Sequence, residues 1–226
     1  MLRSLIAVSL LIASAATAHA EIHALIMTIS AYEGGVPPLA GVQHDGDNAR
    51  AMARRLGVPD ANIRQLRDKE LTLAGMRRAL EALAQRVAPN DQVFIYYSGH
   101  GGRALVRESE PRCAESLVSV DAKFLPDAEL EAKLKALAQK AEKVIVFLDA
   151  CHSGGVTTRA FGKQAAFAPK FWAGRGGVAC EKPVNVLTRN LGVAAKSAGS
   201  GAQNFTVIAS ARADEISLDQ PGRGGV

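Results

Sequence analysis

The sequence predicts an α/β fold: a three-layer sandwich in which a mainly parallel sheet of about six strands has helices on both faces. Short apolar runs rich in β-branched residues alternate along the chain with longer segments whose apolar residues recur at helical spacing. Strands that alternate with amphipathic helices form βαβ units. Such units align the strands in parallel and cover both faces of the sheet.

The predicted elements follow one another in a regular order. The strands are residues 22–29, 63–66, 93–97, 116–120, 144–148 and 205–209. The helices are residues 43–56, residues 72–87, and a third that opens at Asp127. Gly57 and Pro59 end the first helix, and Thr72 is a favourable N-cap for the second. Each helix therefore lies between two strands, as a parallel sheet requires.

Residues 1–20 have the pattern of a secretory signal peptide, with a basic start at Arg3, an apolar stretch and the small-x-small site Ala18-His19-Ala20. The alternative is a membrane anchor, but the apolar stretch is shorter than the roughly 20 residues that span a bilayer. We expect a domain at residues 21–226 that is exported to the periplasm or the extracellular space, with no stable membrane span after cleavage. The last residues, 221–226, have turn composition, and we expect the chain to be truncated there.

The formal net charge of +5 is concentrated in one segment. Residues 156–203 contain seven lysines and arginines and a single acidic residue, Glu181. Residues 194–202 have the composition of a flexible linker. These features predict a basic flexible insert rather than a nucleic-acid-binding surface, and we expect no nucleic-acid partner.

Three cysteines are present, at positions 113, 151 and 180. An exported protein can form disulfides, and an odd count leaves at least one thiol outside an intramolecular pair. If Cys151 must remain a thiol, Cys113 and Cys180 are the natural disulfide pair. The alternative, three reduced cysteines, stays open.

Two of the predicted buried strands end in residues that can perform chemistry. The strand at 93–97 leads to Ser98-Gly99-His100-Gly101-Gly102, and the strand at 144–148 leads to Asp149-Ala150-Cys151. A nucleophilic cysteine needs a base and a site for a developing oxyanion. His100 can be the base, and the backbone N–H groups of Gly101 and Cys151 can form the oxyanion hole. A packing role for the histidine and the cysteine is the alternative.

The motifs YYSGHGG at 96–102 and DACHSGG at 149–155 resemble those of the caspase-like cysteine peptidases, in particular metacaspases and their bacterial relatives. The resemblance covers nearly all of the mature chain, including a G-x-x-x-D segment at 41–45. It implies a caspase–haemoglobinase fold, with Cys151 as nucleophile and His100 as general base and acid. Such enzymes cleave peptide bonds through a thioester acyl-enzyme.

One departure from the caspase pattern predicts the specificity. Caspases carry glutamine two residues before the cysteine, where it helps to hold an acidic side chain, and this chain has Asp149 there. A carboxylate would attract lysine or arginine at P1, the residue before the cleaved bond. The metacaspase pattern suggests that Asp45 and Ser98 also line this pocket. Asp47 is a rival for Asp45, which could instead be an ordinary acidic residue in the first turn of a helix.

The resemblance also bears on cofactors, processing and partners. Calcium is a candidate cofactor, with Asp121, Asp127, Glu129 and Glu131 as candidate ligands; the last three also fit the beginning of a helix. The basic segment 156–203 is a candidate for self-cleavage, with a solvated loop as the alternative. We expect a monomer that acts on proteins or peptides with arginine or lysine at P1. The competing hypothesis is a catalytically impaired binding or scaffold module.

Overall fold

A computed structural model describes residues 19–107, 111–151, 167–174, 204–210 and 217–225. The predicted signal peptide falls almost entirely outside these ranges, and so does most of the predicted basic insert. No helix within these ranges is long and apolar enough to cross a membrane.

Five parallel strands form the central sheet. In spatial order they are β10 (Phe205–Ala209), β7 (Lys143–Asp149), β3 (Gln92–Ser98), β1 (Ile22–Thr28) and β2 (Ile63–Arg67). The strands β7, β3 and β1 are paired on both sides; the residues of β3 and β1 are almost all buried, and four of the seven residues of β7 are. This explains their continuous apolar sequences, because a strand covered by helices on both faces has no solvent-facing side.

Helices cover both faces of this sheet, as predicted. The helices are α1 (Val42–Arg55), α2 (Leu73–Arg86) and α3 (Asp127–Ala138). Helix α1 packs Ala49 and Ala53 against one face, next to Ile26 of β1. Helices α2 and α3 pack leucines, Leu80 and Leu134 among them, into the larger core on the opposite face. The α/β class and the three layers are therefore confirmed.

The predicted strand at 116–120 does not join the central sheet. It belongs to β5 (Pro111–Val118), which pairs antiparallel with β4 (Gly101–Arg107). Only residues 108–110 connect these two strands, too few for the crossover that a parallel neighbour requires. The chain therefore folds back on itself, and β6 (Phe124–Pro126) and β9 (Phe171–Trp172) complete this second, four-stranded sheet.

A third, small sheet brings the end of the chain against the central sheet. It consists of β8 (Ala168–Pro169), β11 (Leu218–Gln220) and β12 (Gly224–Gly225). Strand β11 lies between the other two and is antiparallel to both. Residues 168–172, which lie within the predicted flexible insert, are thus paired with two different sheets.

Leu134 provides a test of the three-layer core, because it is fully buried at the centre of α3. We expect Leu134→Ala to lower the free energy of unfolding by about 2–5 kcal/mol through lost burial and the cavity that remains. Chemical denaturation measures the effect. The control is Leu56→Ala, at a side chain that is 43% exposed, which should change stability by less than about 0.5 kcal/mol. Equal effects of the two substitutions would contradict this packing.

Candidate active site

The strand ends that carry the candidate histidine and cysteine lie next to each other. Strands β3 and β7 are parallel neighbours in which Ser98 is paired with Asp149. The Gly99 N–H also donates to the Asp149 carbonyl oxygen at 3.3 Å. The turns that follow the two strands therefore leave the same edge of the sheet. This is the carboxyl edge, where open α/β sheets bind their ligands.

His100 is buried and held in one tautomer. Its Nε2 lies 2.9 Å from the carbonyl oxygen of Pro37, which can only accept, so Nε2 carries the proton. The buried Nδ1 has no hydrogen-bond partner among the described residues. Burial lowers the pKa of His100 to about 4, the Pro37 carbonyl opposes this shift, and the positive charge of Lys170 adds to it. A neutral imidazole with an available lone pair can accept a proton from a thiol.

Two tyrosines that sequence reasoning missed hold the histidine turn in place. The His100 N–H donates to the Tyr32 hydroxyl at 2.7 Å, and the Tyr32 and His100 rings lie 4.9 Å apart. The Tyr97 hydroxyl lies 2.9 Å from the carbonyl oxygens of both His100 and Val118. The SGHG motif gave no sign of Tyr32, which comes from a distant turn. Tyr97 could have been noticed because it lies in the motif itself.

Cys151 is buried and is not in a disulfide bond. Its backbone N–H donates to the carbonyl oxygen of Lys170 at 3.1 Å, and the Gly101 N–H donates to the same oxygen at 2.9 Å. These are the two N–H groups that the sequence predicts for the oxyanion hole. Two N–H groups that converge on one carbonyl oxygen can stabilise the negative charge that develops there during attack on the carbonyl carbon.

The side chain of Lys170 fills an acidic pocket beside this carbonyl. Its Nζ lies 2.6 Å from Asp149 Oδ2, 3.0 Å from Asp45 Oδ2 and 2.8 Å from Ser98 Oγ. Lys170 is fully buried, and all three partners are at least 94% buried. The structure thus brings together the three residues that the sequence assigned to the substrate pocket. It fills that pocket with a lysine of the same chain.

The choice between Asp45 and Asp47 depends on the direction of each side chain. Asp45 faces inward and accepts hydrogen bonds from Ser98 Oγ at 2.6 Å and from the Gly225 N–H at 2.8 Å. Asp47 is exposed and pairs with Arg67 at 2.7 Å. Asp45 also lies in the first turn of α1, so the helix-terminal position and the pocket position are compatible.

Residues 217–225 complete the acidic pocket. Sequence reasoning missed this contribution. Ser217 Oγ donates to Asp149 Oδ1 at 2.7 Å, and the Gly41 N–H donates to the buried Asp219 at 2.8 Å. Burial raises the pKa of Asp219. A side chain at Gly225 would collide with the carboxylate of Asp149 and approach the ammonium of Lys170. The adjacent glycines of the terminal turn sequence were the available clue, because such residues allow close backbone approach.

The backbone around Lys170 is bound in an extended conformation on both sides. Residues 168–169 pair antiparallel with β11, and the Lys170 N–H donates to the Ser217 carbonyl oxygen at 3.0 Å. Residues 171–172 pair with Gly101 and Gly102 of β4. An extended peptide whose carbonyl lies between two amides, and whose side chain fills a pocket, has the arrangement of a bound protease substrate.

The candidate calcium ligands are engaged by other protein groups. Asp121 accepts from the Leu73 N–H and the Ser119 hydroxyl, and the Asp127 carboxylate accepts from the Ala128 N–H. Glu129 pairs with Arg77 through two bonds of 2.7 Å, and Glu131 pairs with Lys135. Across the described part of the chain, no three acidic, histidine or cysteine side chains gather as a metal site would require.

The structure describes two of the three cysteines, Cys113 and Cys151. Cys113, in β5, is disulfide-bonded, whereas Cys151 keeps its thiol. Cys180 lies outside the described residues, so the pair Cys113–Cys180 stays a prediction.

A thiol, a neutral imidazole and two converging amides at the carboxyl edge of a parallel sheet define a site of the cysteine-nucleophile class. The comparison with protein families agrees with this site, because the model of the Caspase domain family matches residues 22–226. The chain belongs to the caspase family. The predicted resemblance is therefore confirmed.

Among curated proteins, Metacaspase-1 of Kluyveromyces lactis is 30% identical over 145 residues, which are 59% of this chain and 33% of that protein. A protein named Inactive metacaspase-4, from Trypanosoma brucei brucei, is 33% identical over 94 residues, 40% of this chain and 27% of that protein. The chain therefore spans about a third or less of the length of these two relatives. Caspase-1 of Spodoptera frugiperda superposes with a TM-score of 0.54 at 14% identity, over 91% of this chain and 66% of that one. This likeness shows the fold alone.

The lowered pKa of the buried His100 predicts how the free energy of unfolding depends on pH. The folded protein keeps His100 neutral down to about pH 4, while the unfolded chain binds a proton near its ordinary pKa of 6.5. The unfolded state thus holds more protons between these values, and stability falls as the pH decreases from 6.5 to 4, by about 1.4 kcal/mol per pH unit for one proton. In the Cys151→Ala background, adding His100→Asn should remove this part of the slope in urea denaturation. Parallel curves for the two proteins would contradict it.

Proposed function

We propose that this chain is an exported cysteine endopeptidase that cleaves peptide bonds after lysine or arginine. The observation that carries the proposal is the position of Lys170. Its ammonium group lies between Asp149 and Asp45, and its carbonyl oxygen accepts from Gly101 and Cys151. A basic P1 residue of a substrate would make the same contacts.

The proposed reaction uses the Cys151 thiol, the His100 imidazole and the two backbone amides. The Cys151 thiol transfers its proton to Nδ1 of His100, and the sulfur attacks the carbonyl carbon of the P1 residue. The two backbone amides hold the resulting oxyanion. His100 then gives its proton to the leaving amine, and the P1 residue remains on Cys151 as a thioester. Water, deprotonated by His100, releases the acid and restores the thiol.

The proposed P1 specificity follows from charge and burial. Two buried carboxylates within 3.0 Å of one ammonium group leave it well compensated, and Ser98 supplies a further acceptor. An acidic P1 side chain would bring a third negative charge to the same place. An apolar P1 side chain would leave Asp45 and Asp149 buried without a cation, which is costly. The pocket therefore favours arginine and lysine.

The same contacts support self-cleavage between Lys170 and Phe171, inside the segment for which the sequence predicts processing. The carbonyl that the two amides hold belongs to Lys170, so the adjoining peptide bond is the one presented to Cys151. Until it is cut, this segment occupies the pocket that an external substrate would use. Self-cleavage would then open the site.

Export, assembly and cofactor use are proposed on sequence grounds. Residues 1–20 have signal-peptide character, which favours a periplasmic or extracellular peptidase. We propose that it acts as a monomer on protein or peptide substrates, without a nucleic-acid partner. Calcium remains a candidate activator from the family resemblance.

The second candidate function is a binding or scaffold module without catalysis. The relative named Inactive metacaspase-4 and the occupied pocket favour it. In that case Lys170 would occupy the acidic pocket permanently, and the bond after it would not be cleaved. Catalytic turnover distinguishes the two functions.

Turnover of fluorogenic peptides that end in arginine or lysine tests the peptidase, with and without calcium. We expect hydrolysis that Cys151→Ala abolishes. Asp149→Asn and Asp45→Asn should each lower kcat/KM about a hundredfold, because loss of one partner of a buried charge pair typically costs 2–5 kcal/mol. Asp47→Asn is the matched control, since its exposed carboxylate lies on the same helix and should not affect turnover. Undiminished activity of Asp149→Asn would remove that residue from the pocket.

Mass spectrometry of the purified chain tests self-cleavage. The wild type should produce a fragment that begins at Phe171, while Cys151→Ala and Lys170→Ala should remain intact at this bond. Lys170→Arg should still be cut, because arginine also matches the acidic pocket. Lys163→Ala, another basic position of the same segment, is the control and should be cut normally. Identical fragments from the wild type and Cys151→Ala would rule out self-cleavage.

A further inference from the structure

Beyond the P1 pocket, an aromatic contact lies on the other side of the presented bond. The ring of Trp172 stacks on the ring of Phe124, with centroids 5.4 Å apart and planes at 17°. Both side chains are half-buried. If the bond after Lys170 is the one cleaved, Phe171 is the first residue after it (P1′) and Trp172 is the second (P2′). This inference therefore rests on the proposed function.

The backbone that precedes this contact is held by the strand that supplies the oxyanion hole. Phe171 is paired with Gly101 and Trp172 with Gly102, in parallel register along β4. The Gly101 N–H that donates to the Lys170 carbonyl thus belongs to the strand that orders the next two residues. The strand that holds the carbonyl of the cleaved bond therefore also positions the P2′ residue of a bound peptide.

Phe124 belongs to the enzyme side of this contact. It lies on β6, where it pairs with Val118 of β5. A Cβ at Gly102 would lie 2.6 Å from the Phe124 ring and 2.7 Å from the Trp172 carbonyl oxygen. Glycine at 102 therefore lets the ring and the bound segment approach the strand together.

We propose that Phe124 is the floor of a P2′ subsite that selects an aromatic side chain. Stacked aromatic pairs are stabilised beyond the burial of their area, and an aliphatic or small P2′ side chain cannot form such a pair. The enzyme would then recognise a basic residue before the cleaved bond and an aromatic residue two positions after that basic residue. Lys170 and Trp172 satisfy both requirements in the chain's own segment.

The kinetic test compares quenched-fluorescence peptides that contain Ala-Pro-Lys-Phe-Trp or Ala-Pro-Lys-Phe-Ala. We expect wild-type kcat/KM to be about tenfold higher for the tryptophan peptide, the scale of an aromatic pair together with its burial. Phe124→Leu should abolish the difference, whereas Phe124→Tyr should keep it because the ring remains. Leu56→Ala, at an exposed position on helix α1's end, is the control and should keep it too.

A third substrate separates this subsite from the proposed function. Ala-Pro-Lys-aminocoumarin has no residues after the cleaved bond, so its turnover reports the P1 pocket and the chemistry alone. We expect Phe124→Leu to lower kcat/KM for the tryptophan peptide about tenfold more than kcat/KM for this substrate. Hydrolysis of the coumarin substrate with equal rates for the two peptides would overturn the P2′ subsite and leave the peptidase intact.

Binding to the full chain with Cys151→Ala, Lys170→Ala and Trp172→Ala gives a measure that needs no turnover, because the nucleophile is absent and the chain's own segment no longer fills the acidic pocket or stacks on Phe124. We expect a dissociation constant about tenfold lower for the Trp peptide than for the Ala peptide. Adding Phe124→Leu should make the two constants equal. Equal constants before that substitution would overturn the subsite, whether or not the wild type is a peptidase.

Discussion

The ion pairs of Lys170 with Asp149 and Asp45 are the interaction on which the arrangement of this site depends. Burying an ammonium group costs several kcal/mol, and here that cost is offset by two carboxylates and a hydroxyl at 2.6–3.0 Å. The backbone of the same lysine is held by hydrogen bonds of its own. Its carbonyl oxygen accepts hydrogen bonds from the N–H groups of Gly101 and Cys151, and its N–H donates to the carbonyl oxygen of Ser217. Through its side chain and its backbone, this one residue thereby connects the central sheet, β4 of the second sheet and the residue that leads into β11.

The residues around this ion cluster are already oriented by other hydrogen bonds. The acidic residues are oriented by partners of their own: Ser98 and the Gly225 N–H hold Asp45, and Ser217 holds Asp149. The imidazole of His100 is oriented by the Pro37 carbonyl and kept neutral by burial. Groups that are already in position do not have to be ordered during the reaction, which is the main source of electrostatic catalysis.

Sequence reasoning located the parts of the site that lie directly after buried strands. His100, Cys151, Ser98 and Asp149 follow apolar runs, and parallel strands bring their carboxyl ends to one edge. It assigned Asp45 rather than Asp47 to the pocket only through the family resemblance, since two residues on one helix turn differ only in the direction they face. It also missed contacts made by segments without regular patterns. Tyr32, Ser217 and Asp219 reach the site from turns and from a three-residue strand.

The amino-acid sequence by itself determined the α/β class, the helices on both faces and the positions of His100 and Cys151 after two strands of the central sheet. These depend on local hydrophobic periodicity and on short motifs, which are properties of neighbouring residues. Tertiary structure decided that β5 leaves the central sheet, that Asp45 faces the pocket and that Lys170 fills it. Such outcomes depend on contacts between residues as much as 180 positions apart, as between Asp45 and Gly225, and no local pattern encodes which distant groups will meet.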